Sequence, residues 1–117
     1  MIIYADSDHI TRGNVSEFLS KNNYEVKVAG NGEQALELIL NNKVDLLITA
    51  IEMPIMDGYT LIKSLIEHGY NFPIIVKGDY NPDGVKYELI YYLLRPNETS
   101  ELLKVVNRLM KNEKPES

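Results

Sequence analysis

The sequence has no cysteine among its 117 residues, and its net charge at neutral pH is −5. Without cysteine the chain has no disulfide framework, no thiolate metal site and no cysteine nucleophile. The lysines and arginines are scattered, which argues against binding to nucleic acid or to an anionic membrane surface. No apolar run approaches the ~20 residues of a membrane-spanning helix and the first residues do not resemble a signal peptide, so we expect a cytoplasmic protein.

What is present is an ordinary composition for a globular protein, with 44% hydrophobic and 25% charged residues. A chain of this length fits one domain around a single core. We expect that domain to cover residues 1–111, because residues 112–117 are polar and read as a tail or as the start of a linker.

Short β-prone runs alternate along the chain with helical patterns of about ten residues. This order predicts right-handed parallel crossovers and a doubly wound α/β sheet with helices on both faces. The expected strands are 2–5, 24–29, 44–50, 74–77 and 89–94, and the expected helices are 9–22, 33–41, 58–68 and a final helix capped by Asn97. In the first helix we expect an inward face made of Ile10, Val15, Phe18 and Leu19.

The last crossover is too short for a full helix. About ten residues are left between Gly78 and the fifth strand for a turn and a helix together, and they include Pro82, Asp83 and Gly84. The helix between the fourth and fifth strands is therefore expected to have one or two turns, or to be absent.

The most informative stretch is DLLITAIEMPIMDG, residues 45–58. Its apolar first half predicts a strand buried on both faces, and Pro54 followed by Asp57 and Gly58 predicts a loop and a tight turn before the next helix. Ala50 is then at the carboxyl end of a central strand, which is where open α/β sheets bind their ligands.

This stretch resembles the phosphorylation segment of bacterial response-regulator receiver domains. There an Asp ends the third strand and a loop of the form x-x-M-P-x-M-D-G follows, which this sequence matches at Met53, Pro54, Met56, Asp57 and Gly58. Ala50 occupies the position of the phosphorylated Asp. The resemblance extends along the whole chain, and it implies a flavodoxin-like (CheY-like) fold, a five-stranded parallel sheet in the order 2-1-3-4-5.

In receivers, an Asp carboxylate accepts a phosphoryl group and later loses it to water. Mg²⁺ held by further carboxylates, a Lys and a Ser or Thr assist this reaction. The acidic pair after strand one corresponds to Asp6 and Ser7, so one of two carboxylates remains. The methyl group of Ala50 can neither accept phosphate nor bind metal, and at the position of the Ser or Thr there is Gly78.

The Lys-Pro that ends strand five in the family corresponds to Arg95 and Pro96, which keeps the positive charge and implies the cis peptide bond usual in the family. We hypothesise that the Arg95 guanidinium binds Asp6, with Glu52 as a second candidate partner, in the space of metal and phosphate. We expect no catalytic residue and no cofactor, with Mg²⁺ weakly bound at best and Asp6 as its residual ligand.

These departures indicate a naturally degenerate receiver, a pseudo-receiver. An alternative is an engineered Asp-to-Ala variant of a phosphorylatable receiver, which would leave Ser7, Gly78 and Arg95 to be explained separately. No Ser-His-Asp set, carboxylate pair or metal-ligand spacing supports an enzyme.

The function implied is a phosphorylation-independent protein-interaction module in bacterial two-component or phosphorelay signalling. Its partner would be a signalling protein, its own effector domain or a second copy of the chain, bound through residues 79–92 and 98–111. The candidate interaction residues are Tyr80, Tyr87, Tyr91, Tyr92, Glu98 and Glu101. For Tyr91 and Tyr92, half-buried packing in the strand is an equal alternative. A second hypothesis is a small-molecule sensor with its pocket over Ala50 and Gly78.

Overall fold

The computed structural model describes residues 1–77, 90–93 and 99–111. The strands are β1 Ile2–Ala5, β2 Val26–Ala29, β3 Leu46–Thr49, β4 Ile74–Lys77 and β5 Ile90–Leu93. The helices in these residues are α1 His9–Lys21, α2 Gly32–Asn41, α3 Gly58–Glu67 and α4 Thr99–Met110. None of these helices has the length and apolar character that a membrane span requires.

All strand pairs are parallel, and the sheet order is β2-β1-β3-β4-β5. The α/β fold and the order of the first four strands are as predicted, and Ile90–Leu93 pairs alongside β4. Among the predicted elements, the short helix between β4 and β5, the Asn97 cap of the final helix, the cis bond before Pro96 and the polar tail 112–117 lie outside the described residues.

The sheet buries both of its faces. Ile3, Leu47 and Val76 point to the face covered by α2 and α3, whereas Ile2, Ile48 and their neighbours point to the face covered by α1 and α4. This follows from the two-residue period of a strand, which sends successive side chains to opposite faces. Both sets are apolar, so β1, β3 and β4 are hydrophobic runs except for Thr49 and Lys77 at their ends, as expected for central parallel strands.

Three details of the predicted elements were wrong, one of them the start of β3 at Leu46 rather than at Val44. Ile10 is 69% exposed rather than inward-facing. It precedes Val15 by five residues, which at ~100° per residue puts it about 140° away around the helix. Strand β2 begins at Val26 rather than at Tyr24, because the Tyr24 N–H donates to the Leu19 carbonyl at 3.1 Å and so completes the end of α1.

Candidate functional site

Asp6, Ala50 and Lys77 form a row at the carboxyl edge of the sheet. Ala5 is in register with Thr49, and Thr49 with Val76. The residues that follow these three, Asp6, Ala50 and Lys77, therefore lie side by side. The chain leaves β1 toward β2 on one side and β3 toward β4 on the other. This is the topological switch point of the sheet, where α/β proteins bind ligands.

The Asp6 carboxylate is bonded to Lys77 across this row. Lys77 Nζ donates to Asp6 Oδ2 at 2.6 Å and to Tyr4 Oη at 2.6 Å, and Tyr4 Oη donates to the same Oδ2 at 2.9 Å. Both charged side chains are only 9% exposed. Lys77 also lies over the Tyr4 ring, 5.1 Å from its centroid, close enough for a cation–π contact.

This pairing makes the burial of two charges tolerable, because a buried charge needs both an opposite charge and hydrogen bonds. Burial, followed by the negative charge of Asp6 and the hydrogen bond to its carboxylate, raises the pKa of Tyr4 well above its usual value. The Tyr4 hydroxyl therefore keeps its proton and remains a donor to Asp6 throughout the neutral range.

The backbone after Asp6 is fixed from two directions. The Asp8 N–H donates to Asp6 Oδ1 at 3.0 Å, and Arg12 Nη1 donates to the Asp6 carbonyl at 2.8 Å. Asp8 is the N-cap of α1 and accepts from the Ile10 N–H. The Thr11 hydroxyl, bonded to Asp8 at 2.7 Å, lowers the pKa of that carboxyl. Asp6 is thus held by its main chain as well as by its ion pair.

Above the row is an open depression of about 340 Å³, called here the Ala50 depression, which is lined by Asp6, Asp8, Thr11, Ala50, Ile51, Glu52 and Lys77. Mg²⁺ is bound in proteins by oxygen ligands at near-octahedral positions. Within residues 1–77, 90–93 and 99–111, no three His, Asp or Glu side chains are grouped so that they could hold a metal ion. Three of the roughly four acceptor positions of the Asp6 carboxylate are also taken, one of them by the Lys77 ammonium, so the described residues do not fit a Mg²⁺ site.

The connection after β3, together with the first residue of α3, is called here the 51–58 loop. The Gly58 N–H donates to the Ile51 carbonyl at 2.8 Å, and the Met56 carbonyl accepts from the Gly32 N–H at 2.8 Å. Asp57 caps α3 by accepting from the Thr60 N–H at 2.8 Å, which makes it the turn residue that the sequence predicted. A Cβ added to Gly58 would lie 2.2 Å from the Ala50 carbonyl oxygen, so only glycine fits there.

The predicted site residues are partly assembled. Asp6, Ala50 and Glu52 line the same depression, with Glu52 exposed, whereas Ser7 is exposed and is not part of its lining. The residue bonded to Asp6 is Lys77, whereas Arg95 was the predicted partner and lies outside the described residues, as do Gly78 and Pro96.

The predicted interaction face is described in part. Tyr91 is half-buried and packs against the core beneath α1 and α4, in agreement with the packing alternative. Tyr92 lies in β5, and Glu101 is exposed in the first turn of α4. Tyr80, Tyr87 and Glu98 lie outside the described residues.

Two residues of the site, Lys77 and Tyr4, had no role in the sequence analysis. The sequence nevertheless contained a signal for each of them. Tyr4 precedes Asp6 by two residues and so shares its face, and Lys77 is a charged residue that ends an otherwise apolar buried strand. Strand register was needed to bring them together, since 71 residues separate Asp6 from Lys77.

The fold and this edge of the sheet define the class of protein. The family model of the response regulator receiver domain matches residues 2–107, and the chain belongs to that family. Response regulator MprA of Mycobacterium sp. (strain KMS) is 30% identical over 98% of this chain and 52% of its own length. The chain therefore spans about half the length of the curated relatives it matches.

Solved receiver structures are similar over nearly the full chain. The Francisella response regulator 1452 receiver domain has a TM-score of 0.83 and 28% identity, with 97% of this chain and 98% of that chain covered. Response regulator TrrA of Thermotoga maritima, solved in complex with Mg²⁺-BeF, has a TM-score of 0.80 and 26% identity, with 92% of this chain and 96% of that chain covered. The protein is thus a response-regulator receiver domain by sequence and by fold.

Proposed function

We propose that this receiver is a pseudo-receiver, a protein-interaction module of two-component or phosphorelay signalling that works without phosphorylation. The observation that carries the proposal is Ala50 in the row between Asp6 and Lys77. A methyl group there offers no oxygen to attack a phosphoryl donor. The neighbouring carboxylate, Asp6, is engaged by Lys77, Tyr4 and the Asp8 N–H.

Because the described residues include no nucleophile at position 50 and no metal ligand set, the domain has no enzymatic role in this proposal, and its surface carries the function. The proposed interaction face comprises residues 79–92 and 98–111, of which exposed Glu101 and half-buried Tyr91 belong to the described part. The partner is a signalling protein, an effector domain of the same protein or a second copy. The greater length of the relatives supports an effector domain as one of these choices.

A second candidate is the binding of a small molecule in the Ala50 depression. Its volume of about 340 Å³ and its polar lining favour this alternative. Pockets for small ligands have volumes of ~300–1,000 Å³, but they are mostly apolar and largely enclosed. The depression is open and has three carboxylates on its rim, so we rank the interaction module first.

Phosphorylation is tested on the wild-type chain with Mg²⁺ and acetyl phosphate, followed by intact mass, and with Mg²⁺ and beryllofluoride, followed by backbone amide NMR. We expect no phosphoryl adduct and no saturable shift at residues 6, 50 and 77. The Thermotoga maritima TrrA receiver is the matched positive control, because its solved structure holds Mg²⁺-BeF. A phosphoryl adduct on the wild-type chain would overturn the proposed function.

Interaction is tested by cross-linking the tagged chain in its native host with and without a phosphoryl donor. The proposal expects the same partner, or the same dimer, in both conditions. Glu101→Lys is expected to weaken that cross-link, whereas Glu37→Lys, an exposed carboxylate on α2, should leave it unchanged. A partner captured only when the donor is present would contradict the proposal.

A further inference from the structure

Lys77 is built into the sheet rather than left on its surface. The other residues of β4 are buried and apolar, and an ammonium group in such a place is costly unless it is paired and hydrogen-bonded. Lys77 has both kinds of partner, the Asp6 carboxylate and the Tyr4 hydroxyl. The lysine is therefore an integral part of the lining of the Ala50 depression.

The ammonium reaches Asp6 by crossing the third strand. Neighbouring strands are about 4.8 Å apart, so the backbones of β1 and β4 are separated by about 10 Å with β3 between them. By the two-residue alternation, Asp6, Ala50 and Lys77 share one face of the sheet. The side chains of Asp6 and Lys77 meet above Ala50, and the small methyl group leaves that path open.

The contacts of Asp6 disfavour the binding of a second cation. Oδ2 accepts from Lys77 and Tyr4, and Oδ1 accepts from the Asp8 N–H. A divalent ion bound through Oδ2 would have to displace these donors, whereas Oδ1 keeps one of the roughly four acceptor positions of the carboxylate. An ion on either oxygen would also lie a few ångströms from a like charge that is 9% exposed and poorly screened by water.

We propose that Lys77 is an internal cation that occupies the place of the divalent metal and keeps Asp6 neutralised without Mg²⁺. This inference rests on the proposed function, because a site that takes up a phosphoryl group requires the metal that Lys77 displaces. In this inference Lys77 alone excludes the metal from this receiver. The state of the Ala50 depression then does not depend on the Mg²⁺ concentration.

The test is a titration with MgCl₂ of three chains: wild type, Lys77→Met and Lys43→Met. Binding is followed by the backbone amide shifts of residues 6, 8 and 50 and by the shift of Tm with Mg²⁺, since a ligand of the folded state raises Tm. Met keeps the length of the lysine stem without its charge. Lys43 is exposed, so Lys43→Met changes the net charge equally and leaves the site intact.

We expect no saturable shift in wild type or in Lys43→Met at millimolar Mg²⁺. In Lys77→Met, Asp6 loses its counter-charge while Asp8 and Glu52 remain on the rim, and we expect saturable binding at least about tenfold tighter than any in wild type. Should Lys77→Met fail to fold, Lys77→Gln, whose amide can still donate to Asp6, serves as the second variant.

Two results would overturn the inference: saturable Mg²⁺ shifts at residues 6, 8 and 50 of wild type, or no gain of Mg²⁺ binding in the folded Lys77 variant. These outcomes are separate from those for the proposed function. Mg²⁺ binding by wild type without a phosphoryl adduct overturns only the role of Lys77. A phosphoryl adduct on wild type overturns the proposed function whatever the Lys77 variant does.

Discussion

The Ala50 depression and the 51–58 loop are adjacent, yet they depart from the receiver pattern to very different degrees. By the family resemblance, Ala50 in the depression is at the position of the acceptor, and Ser7, outside its lining, is at one position of the acidic pair. In the loop, Met53, Pro54, Met56, Asp57 and Gly58 all match the family pattern. The two regions also differ in the role of their residues, which in the loop is to hold the fold together.

Residues of the 51–58 loop make contacts that the fold needs. Gly58 is pressed against the Ala50 carbonyl, the Met56 carbonyl accepts from the α2 N-terminus, and Asp57 caps α3. By the family resemblance, the receiver side chains at the positions of Ala50 and Ser7 would instead contact metal and phosphate. The loop motif therefore identifies a fold, and only the depression carries information on chemistry, which is why a family resemblance predicts structure better than function.

The largest effect is expected for Gly58→Ala, which breaks the loop. The new Cβ would lie 2.2 Å from the Ala50 carbonyl oxygen and 3.2 Å from the Ile51 Cα, and both are backbone atoms that cannot rotate away. We expect the free energy of unfolding to fall by about 3 kcal/mol, the upper part of the usual range for overpacking. Urea denaturation with circular dichroism measures this change.

Gly13→Ala is the matched control for that substitution. A Cβ on Gly13 meets no atom within 4 Å, and Gly13 lies inside α1, where Ala is favoured over Gly by up to ~1 kcal/mol. The same chemical change should thus stabilise the chain at residue 13. Equal losses at residues 13 and 58 would show that the 51–58 loop is not under the packing constraint described above.

An intermediate effect is expected for Tyr4→Phe, which removes one hydroxyl from the depression while the ring remains. That hydroxyl accepts from Lys77 and donates to Asp6, and hydrogen bonds to charged groups contribute ~1.5–3 kcal/mol. We expect a loss of about 2 kcal/mol at neutral pH. Tyr24→Phe, which removes a hydrogen bond to the neutral side chain of Asn107, should lose about 1 kcal/mol.

The stability of Tyr4→Phe should also depend on pH differently from that of wild type. Because the pKa of Tyr4 is raised on folding, its stabilising contribution is complete below the unfolded pKa of ~10 and is lost as the pH rises beyond it. Wild type should therefore lose stability above about pH 10 more steeply than Tyr4→Phe. Urea midpoints from neutral pH to pH 11 test this, and parallel pH profiles for the two chains would contradict the position of Tyr4 beside Asp6.

The sequence was sufficient for the parts of the molecule that depend on local chemistry. The run Ile74–Lys77 and the turn at Asp57 and Gly58 before α3 follow from side-chain pattern and turn preference, and the structure has them where predicted. The pairing of Lys77 with Asp6 was not predictable in this way, because it depends on the register of three strands. Ile10 is an example of the opposite kind, because the helical period by itself separates it from Val15 by about 140° and so predicts its exposure.

The smallest effect is expected for Ala50→Ser, which adds one atom to the depression next to the point where one atom on Gly58 is so costly. Ala50 is half-buried and its side chain borders the open space of the depression. The free energy of unfolding should change by less than about 0.5 kcal/mol, as for substitutions away from packed features. A loss comparable to that of Gly58→Ala would mean that the methyl group of Ala50 is itself selected for packing beneath Lys77, so that the absence of an acceptor would follow from a structural requirement of the ion pair.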